Sequence, residues 1–183
     1  MVLSGSEISA SVARGEITLE PFEPSLVNPN SYNYRLDPWL RVFRDDLVDA
    51  RRTPETVDLV IPPEGLVLEP GFLYLGRTFE VIGSDDYVPS LIGRSSLGRL
   101  GVYLQVSADL GNLGARHQWT LEIVVCQRVR LYPLMRIGQV SFWVPVGEKK
   151  PYTGYFGDFS WPEPATPSVL GLAPAMEAPP ERP

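Results

Sequence analysis

The sequence predicts an all-β protein with one short helix at its N-terminus. Nine short runs rich in β-branched and aromatic residues follow one another between Ile17 and Val144. Turn signals built from Gly, Pro, Asn and Asp separate these runs, and helical periodicity is mostly lacking among them. The pattern favours a β-sandwich or barrel over a fold in which helices connect parallel strands.

The helix is predicted from a capping box and a glycine. Ser4 and Glu7 have the capping-box spacing, and Gly15 can end the helix that follows. Ile8 and Val12 would then lie on its inner face. The predicted strands after it are Ile17–Leu19, Tyr32–Leu36, Leu40–Phe43, Val57–Ile61, Phe72–Val81, Tyr87–Ile92, Val102–Val106, Thr120–Cys126 and Ile137–Val144.

Length and composition limit the function classes. The 183 residues fit one domain, and a net charge of −6 argues against binding to a nucleic-acid backbone. No apolar stretch is long enough to span a membrane, and the first residues lack the basic and apolar blocks of a signal peptide. One cysteine and one histidine leave little for a protein-built zinc site. We therefore expect a cytoplasmic protein without a membrane or nucleic-acid partner.

The charges are unevenly distributed along the chain. Between Leu91 and Trp143 there are six arginines and two acidic residues, whereas the remainder is strongly acidic. An arginine-rich segment in an acidic protein suits a small polyanion such as a nucleoside triphosphate. A solvated strand face balanced by acidic loops explains the same charges equally well.

Composition also divides the chain. Residues 1–161 are predicted to form the β domain, and residues 162–183 a proline-rich tail that is flexible or docked. The segment of about 148–161 combines lysines, aromatic residues and glycines, which suits a lid over a ligand. A strand packed along a neighbouring subunit would have the same composition.

The segment Gly93–Gly101 reads Gly-Arg-Ser-Ser-Leu-Gly-Arg-Leu-Gly and follows a predicted strand. Two hydroxyls, free backbone N–H groups and Arg94 at the start of a helical turn form a phosphate cradle. Arg99 can face another part of the same ligand. Ser-Ser-Leu at a turn is also common in purely structural loops, so the segment alone does not decide.

Glu122 stands inside the apolar run Trp119–Cys126. A carboxylate there either alternates outwards to solvent or lines a cavity as a candidate proton shuttle. Structural ion pairs hold such carboxylates as well. His117 is expected to be an ordinary loop histidine, and Cys126 a buried core residue.

Together these residues resemble the dCTP deaminases, which share a fold with the trimeric dUTPases. The matching segments are Leu3-Ser4, Glu20–Phe22, Pro29–Leu36, Gly93–Gly101, Val102–Ala108, Leu121-Glu122 and Met135–Phe142. The resemblance runs from Met1 to about Ser168, and Arg-Ser-Ser-Leu-x-Arg-Leu-Gly is a specific signature. It implies a distorted, jelly-roll-like β-barrel of the dUTPase type, and a homotrimer with active sites between subunits.

The resemblance also implies zinc-independent deamination of dCTP to dUTP and ammonia. Glu122 would be the general base that takes a proton from water and passes it towards the ring nitrogen and the leaving ammonia. Ser95, Arg99 and the backbone carbonyl of Ala108 would hold the water and the amino group.

The same resemblance implies a substrate-binding set. Arg94 and Ser96 would bind the phosphates, with Mg²⁺ completing their neutralisation. The metal would be held through the triphosphate and not by protein ligands. The remaining candidates for substrate binding are Asn112, Gln139, Lys150 and Tyr152.

At the expected sugar site, two positions differ from the family pattern. Where the family has an Asp that holds the sugar 3′-hydroxyl, this chain has Asn112, and where the family packs an aromatic ring on the deoxyribose, it has Ala115. The first change weakens the expectation of diphosphatase activity, and the second predicts a weaker preference for deoxyribose. A dUTP diphosphatase, a bifunctional enzyme and a non-catalytic nucleotide sensor are the alternatives. Retention of Ser95, Arg99 and Glu122 together favours the deaminase.

Overall fold

The computed structural model describes residues 1–104, 108–154 and 160–173, and within these ranges the chain is mostly β. The helices are α1 (Gly5–Ala13), α2 (Ser95–Gly98) and a 3₁₀ turn at Pro24–Leu26. The strands are β1 (Thr18–Glu20), β2 (Val27–Asn28), β3 (Ser31–Arg35), β4 (Trp39–Phe43), β5 (Thr56–Val60), β6 (Leu66–Leu68), β7 (Leu73–Arg77), β8 (Val81–Gly83), β9 (Val88–Gly93), β10 (Val102–Leu104), β11 (Arg116–His117), β12 (Thr120–Val125), β13 (Val129–Leu131) and β14 (Arg136–Trp143). The all-β prediction is confirmed.

Helix α1 begins and ends where its sequence signals predict. The Ser4 hydroxyl accepts a hydrogen bond from the Glu7 N–H at 3.3 Å, and Gly15 adopts a φ of +76° just beyond the last turn. Ile8 is fully buried against the sheets. Among the described residues, no helix has the length and apolarity needed to cross a membrane.

Four antiparallel sheets surround the core. Their strand orders are β10-β12-β7-β4-β5, β2-β3-β14-β9, β1-β8-β11 and β13-β6. The inner faces of the two large sheets supply fully buried side chains such as Tyr32, Tyr34, Leu121, Ile123 and Phe142. Along β12, buried positions alternate with more exposed ones, and this alternation fixes which of its side chains face outwards.

The predicted strand Phe72–Val81 is wrong in its length, because the chain changes sheet at its middle. Strand β7 ends at Arg77 and β8 starts at Val81 in a different sheet. Between them the Thr78 N–H donates to the Trp119 carbonyl, and the buried Glu80 carboxylate accepts from Arg35 at 2.6 and 2.8 Å. Burial raises the pKa of the Glu80 carboxyl. A buried ion pair between distant segments thus replaces the strand continuation that local composition predicts.

Candidate functional site

Glu122 lies on the outer face of strand β12. Leu121, Ile123 and Val125 face the core, so Thr120, Glu122 and Val124 point the other way. The strand register places Glu122 opposite Leu75 of β7, near the centre of the five-stranded sheet. Both sequence interpretations therefore hold in part: Glu122 points away from the core, and it also lines a cavity.

That cavity has a volume of about 520 Å³, which is in the range of small-molecule sites. Four predicted site residues line it together, namely Glu122, Asn112, Ala108 and Tyr152. Tyr152 is positioned through its backbone, where its N–H donates to the Leu113 carbonyl at 2.8 Å. The described part of the wall is otherwise mostly apolar and includes no lysine or arginine.

His117 lines the same cavity, and sequence analysis missed it. His117 lies in β11 and is 6% exposed. Its ring stacks on Trp119, with the ring centroids 4.4 Å apart. The expectation of an ordinary loop histidine is wrong, because β11 pairs with β8 and so holds His117 inside the fold. A single histidine in a turn-rich segment carries no periodic signal that could have revealed this.

One wall of the cavity comes from the C-terminal segment of the same chain. Glu163, Pro164, Ala165, Val169 and Leu170 line it opposite the sheet. Within the predicted tail, residues 163–165 and 169–170 therefore lie against the rest of the chain.

Trp161 anchors this segment to the sheet. Its ring lies 4.5 Å from the Arg77 guanidinium and 5.7 Å from that of Arg41, and it contacts Trp39. Arg77 also donates to the Ser160 carbonyl at 2.7 Å, and Arg41 to the Pro162 carbonyl at 2.8 Å. Strands β4 and β7, on one side of the Glu122 strand, thus hold the segment in place. Lid residues 155–159 lie outside the described residues.

The predicted phosphate cradle forms a short helical turn at the end of β9. Arg94 is the N-cap of α2, Leu97 is buried beneath it, and Ser95 and Ser96 are exposed. The turn closes at Gly101, whose φ is +77° and whose carbonyl accepts from the Cys126 N–H at 2.9 Å. Cys126 is exposed beside this glycine, so its predicted burial is wrong: strand β12 ends at Val125, one residue before it.

Three arginines around this turn have no acidic partner among the described residues. Within the described chain, Arg94, Arg99 and Arg136 form no ion pair with a carboxylate. Arg94 donates only to the Arg136 carbonyl, at 3.4 Å. Partial burial lowers the pKa of the Arg94 guanidinium, and the like charge of Arg136 adds to this effect. Such clustered cations favour an anionic ligand.

The two remaining candidates lie away from the cavity. Gln139 sits on β14 and accepts a hydrogen bond from the Ser31 hydroxyl at 3.1 Å. Lys150 is exposed and lies 3.5 Å from Glu148. Neither lines the Glu122 cavity, and neither do Arg94, Ser95, Ser96 or Arg99. The described residues of a single chain therefore do not bring the cradle and Glu122 into one pocket.

No group of three or more His, Cys, Asp or Glu side chains in the described ranges is arranged to hold a metal ion. The polar groups described at the cavity wall are suited to hydrogen bonding and proton transfer.

Comparison with known proteins places this geometry in context. A family model described as dCTP deaminase-like matches residues 2–144. A protein of Clostridium acetobutylicum named "dCTP deaminase, dUMP-forming" is 43% identical over 153 residues, covering 84% of this chain and 88% of its own. A Clostridium botulinum protein of the same name is 47% identical over 78% of this chain and 82% of its own. A Rhodopirellula baltica protein named "dCTP deaminase" is 44% identical over 81% of this chain and 74% of its own.

A solved structure shows a similar fold. The crystal structure of 2′-deoxycytidine 5′-triphosphate deaminase from Agrobacterium tumefaciens superposes with a TM-score of 0.61 at 22% identity. The match covers 79% of this chain and 48% of that one.

Proposed function

Because the chain belongs to the dCTP deaminase-like family, we propose that it removes the amino group of dCTP by hydrolysis, with Glu122 as the general base. The observation that carries this proposal is Glu122 on the wall of a nucleoside-sized cavity, together with Asn112 and Ala108. The carboxylate takes a proton from water while the oxygen bonds to C4 of cytosine. The proton moves to N3, a second transfer releases the amino group as ammonia, and C4 becomes a carbonyl.

The triphosphate requires cations that this cavity does not supply. No described lysine or arginine lines it, whereas Arg94, Arg99 and Arg136 form a cationic cluster elsewhere on the subunit. We therefore propose that each site is shared, with the cradle of one subunit facing the cavity of another in a homotrimer. Ser95 and Arg99 would then reach the water and amino group, and Arg94 and Ser96 the phosphates.

An exposed apolar strip supports this assembly. Tyr103 of β10 pairs with Val124 of β12, and both side chains are exposed on the same sheet face as Glu122. Burial of such a strip between copies would be favourable.

Mg²⁺ would enter with the substrate. The described residues around Arg94 and Arg99 offer hydroxyls and guanidinium groups, which do not form a magnesium site by themselves. The ion would therefore be held by phosphate oxygens and would neutralise charge that the arginines leave uncompensated.

We further propose that dUMP, not dUTP, is the final product. The relatives named above as dUMP-forming support this at 43% and 47% identity. The product then differs from the dUTP predicted from sequence, and Asn112 in place of the family Asp does not prevent diphosphate release. An amide can still orient a hydroxyl or a water by hydrogen bonding.

The test is to incubate the purified protein with dCTP and Mg²⁺ and to measure ammonia and diphosphate separately. We expect both to be released in equal amounts. Ammonia without diphosphate would contradict dUMP formation and leave deamination standing. Tight dCTP binding without ammonia would replace the enzyme with a nucleotide-binding protein.

A further inference from the structure

The His117–Trp119 pair forms an aromatic wall inside the Glu122 cavity. The two ring planes meet at 30°, with centroids 4.4 Å apart, and both residues line the cavity. His117 is the only histidine of the chain. An imidazole stacked on an indole presents a flat surface that is mostly carbon.

Backbone contacts fix this wall. The Trp119 indole N–H donates to the Ile82 carbonyl at 2.8 Å, and His117 Nδ1 lies 2.9 Å from the Gln118 carbonyl. The far edge of the indole lies over Gly111, where any Cβ would come within 2.7 Å of Trp119 Cη2. The rings therefore cannot swing aside without disturbing β8 or the loop at Gly111.

The wall adjoins the position where a ring is missing. Ala115 is 4% exposed and lines the same cavity, but its methyl group offers little surface. Asn112, three residues before it, supplies a hydrogen-bonding amide on that side. His117 and Trp119, two and four residues after Ala115, contribute aromatic surface to the same cavity.

We propose that the His117–Trp119 pair is the sugar-discriminating wall of the site and packs against C2′ of deoxyribose. This inference rests on the proposed function. A ribose 2′-hydroxyl pressed against the ring faces would lose its water without gaining a hydrogen-bond partner. Ala115 alone predicted a weak preference for deoxyribose over ribose. With the His117–Trp119 pair we expect a preference for dCTP over CTP on the order of a hundredfold, as for an apolar pocket that rejects one added hydroxyl.

The experiment compares kcat/KM for dCTP and for CTP in the wild type, His117→Phe and His117→Asn. Phe keeps a flat ring and removes the nitrogens, whereas Asn keeps polarity and removes the ring. We expect His117→Phe to keep the dCTP:CTP ratio of kcat/KM and His117→Asn to lower it about tenfold. In the Asn variant the ribose 2′-hydroxyl would meet a polar group and open space in place of a ring. Trp119→Leu should lower the ratio like Asn, and Trp143→Leu, an exposed tryptophan on β14 outside the cavity, should leave it unchanged.

A ratio unchanged in His117→Asn and Trp119→Leu would overturn the proposal. Loss of discrimination in His117→Phe would also overturn it, since a ring nitrogen would then carry the recognition. Should His117→Asn fail to fold, Trp119→Leu alone decides, and Trp119→Phe is expected to restore the ratio. Calorimetric Kd values for dCTP and CTP, measured on Glu122→Gln protein, give the sugar preference of binding without turnover. A protein that is no deaminase but still prefers dCTP can therefore be distinguished from one in which the His117–Trp119 pair does not discriminate between the sugars.

Discussion

The Glu122 cavity and the Arg94–Arg99 turn differ in their exposure to solvent and in the charge of their side chains. The cavity is enclosed by strands β7 and β12 and by residues 163–170, and its described wall contains carboxylates but no lysine or arginine. The turn exposes two serines and Arg99 to solvent, and its arginines have no described acidic partner. Each region contains what the other lacks. The difference teaches that the described residues of one chain place the enclosed carboxylate and the clustered arginines on separate surfaces, which is why we propose a site shared between two subunits.

Glu122→Gln is expected to abolish most of the deamination of dCTP and to leave the affinity for dCTP nearly unchanged. The amide keeps the size and hydrogen bonding of the side chain but cannot accept and return a proton. Ammonia release from dCTP should fall by at least about three orders of magnitude, because the residue acts in two proton transfers. Calorimetric affinity for dCTP should change little. Glu64→Gln, at an exposed glutamate outside the cavity, is the matched control. Near-normal turnover in Glu122→Gln would make Glu122 an ordinary strand residue.

A mixture of two inactive variants tests whether the two regions meet across subunits. Glu122→Gln protein and Arg94→Ala/Arg99→Ala protein are unfolded, mixed in equal amounts and refolded together. In a randomly assembled trimer with shared sites, about a quarter of the sites would have both intact halves. Ammonia release at low dCTP should therefore recover towards about a quarter of the wild-type rate. No recovery, or a monomer by light scattering, would place both halves in one chain.

Arg94→Ala is expected to show the reverse of the Glu122 effect. Loss of one charge-assisted contact should weaken dCTP binding by roughly 1.5–3 kcal/mol, or about 10- to 150-fold in Kd. Turnover at saturating dCTP should fall much less. Arg51→Ala, which removes an exposed arginine from a distant loop, controls for net charge. Equal affinities of the two variants would remove Arg94 from the phosphate site.

Trp161→Ala should have the smallest effect, since it loosens one wall and removes no reacting group. Cation–π contacts with Arg41 and Arg77 contribute modestly at such partly exposed sites. We expect kcat/KM to drop about three- to tenfold and proteolysis near residue 160 to become faster. Trp161→Phe keeps a ring between the arginines and should retain most of both properties. Unchanged proteolysis in Trp161→Ala would show that other contacts hold the segment.

Sequence signals predicted those parts of the structure that depend on interactions between residues close together in the chain. Ser4, Glu7 and Gly15 mark helix α1 because caps act within one turn, and the alternation around Glu122 marks β12. The Arg94–Gly101 turn was visible for the same reason. Family resemblance added the proposed role of Glu122 as a general base, which alternation alone left open.

Features that depend on distant contacts were missed. His117 looked like a loop residue because its stacking and its pairing with β8 are tertiary. Trp161 looked like the end of a lid segment, since its partners Arg41 and Arg77 are remote in sequence. The hydrogen bond that the Ser31 hydroxyl donates to Gln139 of the adjacent strand is a further contact between distant segments. Chain composition does not encode such pairings.

The close approach of Gly101 to Cys126 places a thiol that can be labelled beside the Arg94–Gly101 turn. Any Cβ at position 101 would collide with the Cys126 sulfur, so the thiol sits directly against the end of the turn. Cys126 is exposed, and it is the single cysteine of the chain. A thiol-reactive fluorophore would therefore attach at one defined place without any mutation. Under the proposed function, its emission would change in real time as the nucleotide binds at the turn and leaves it.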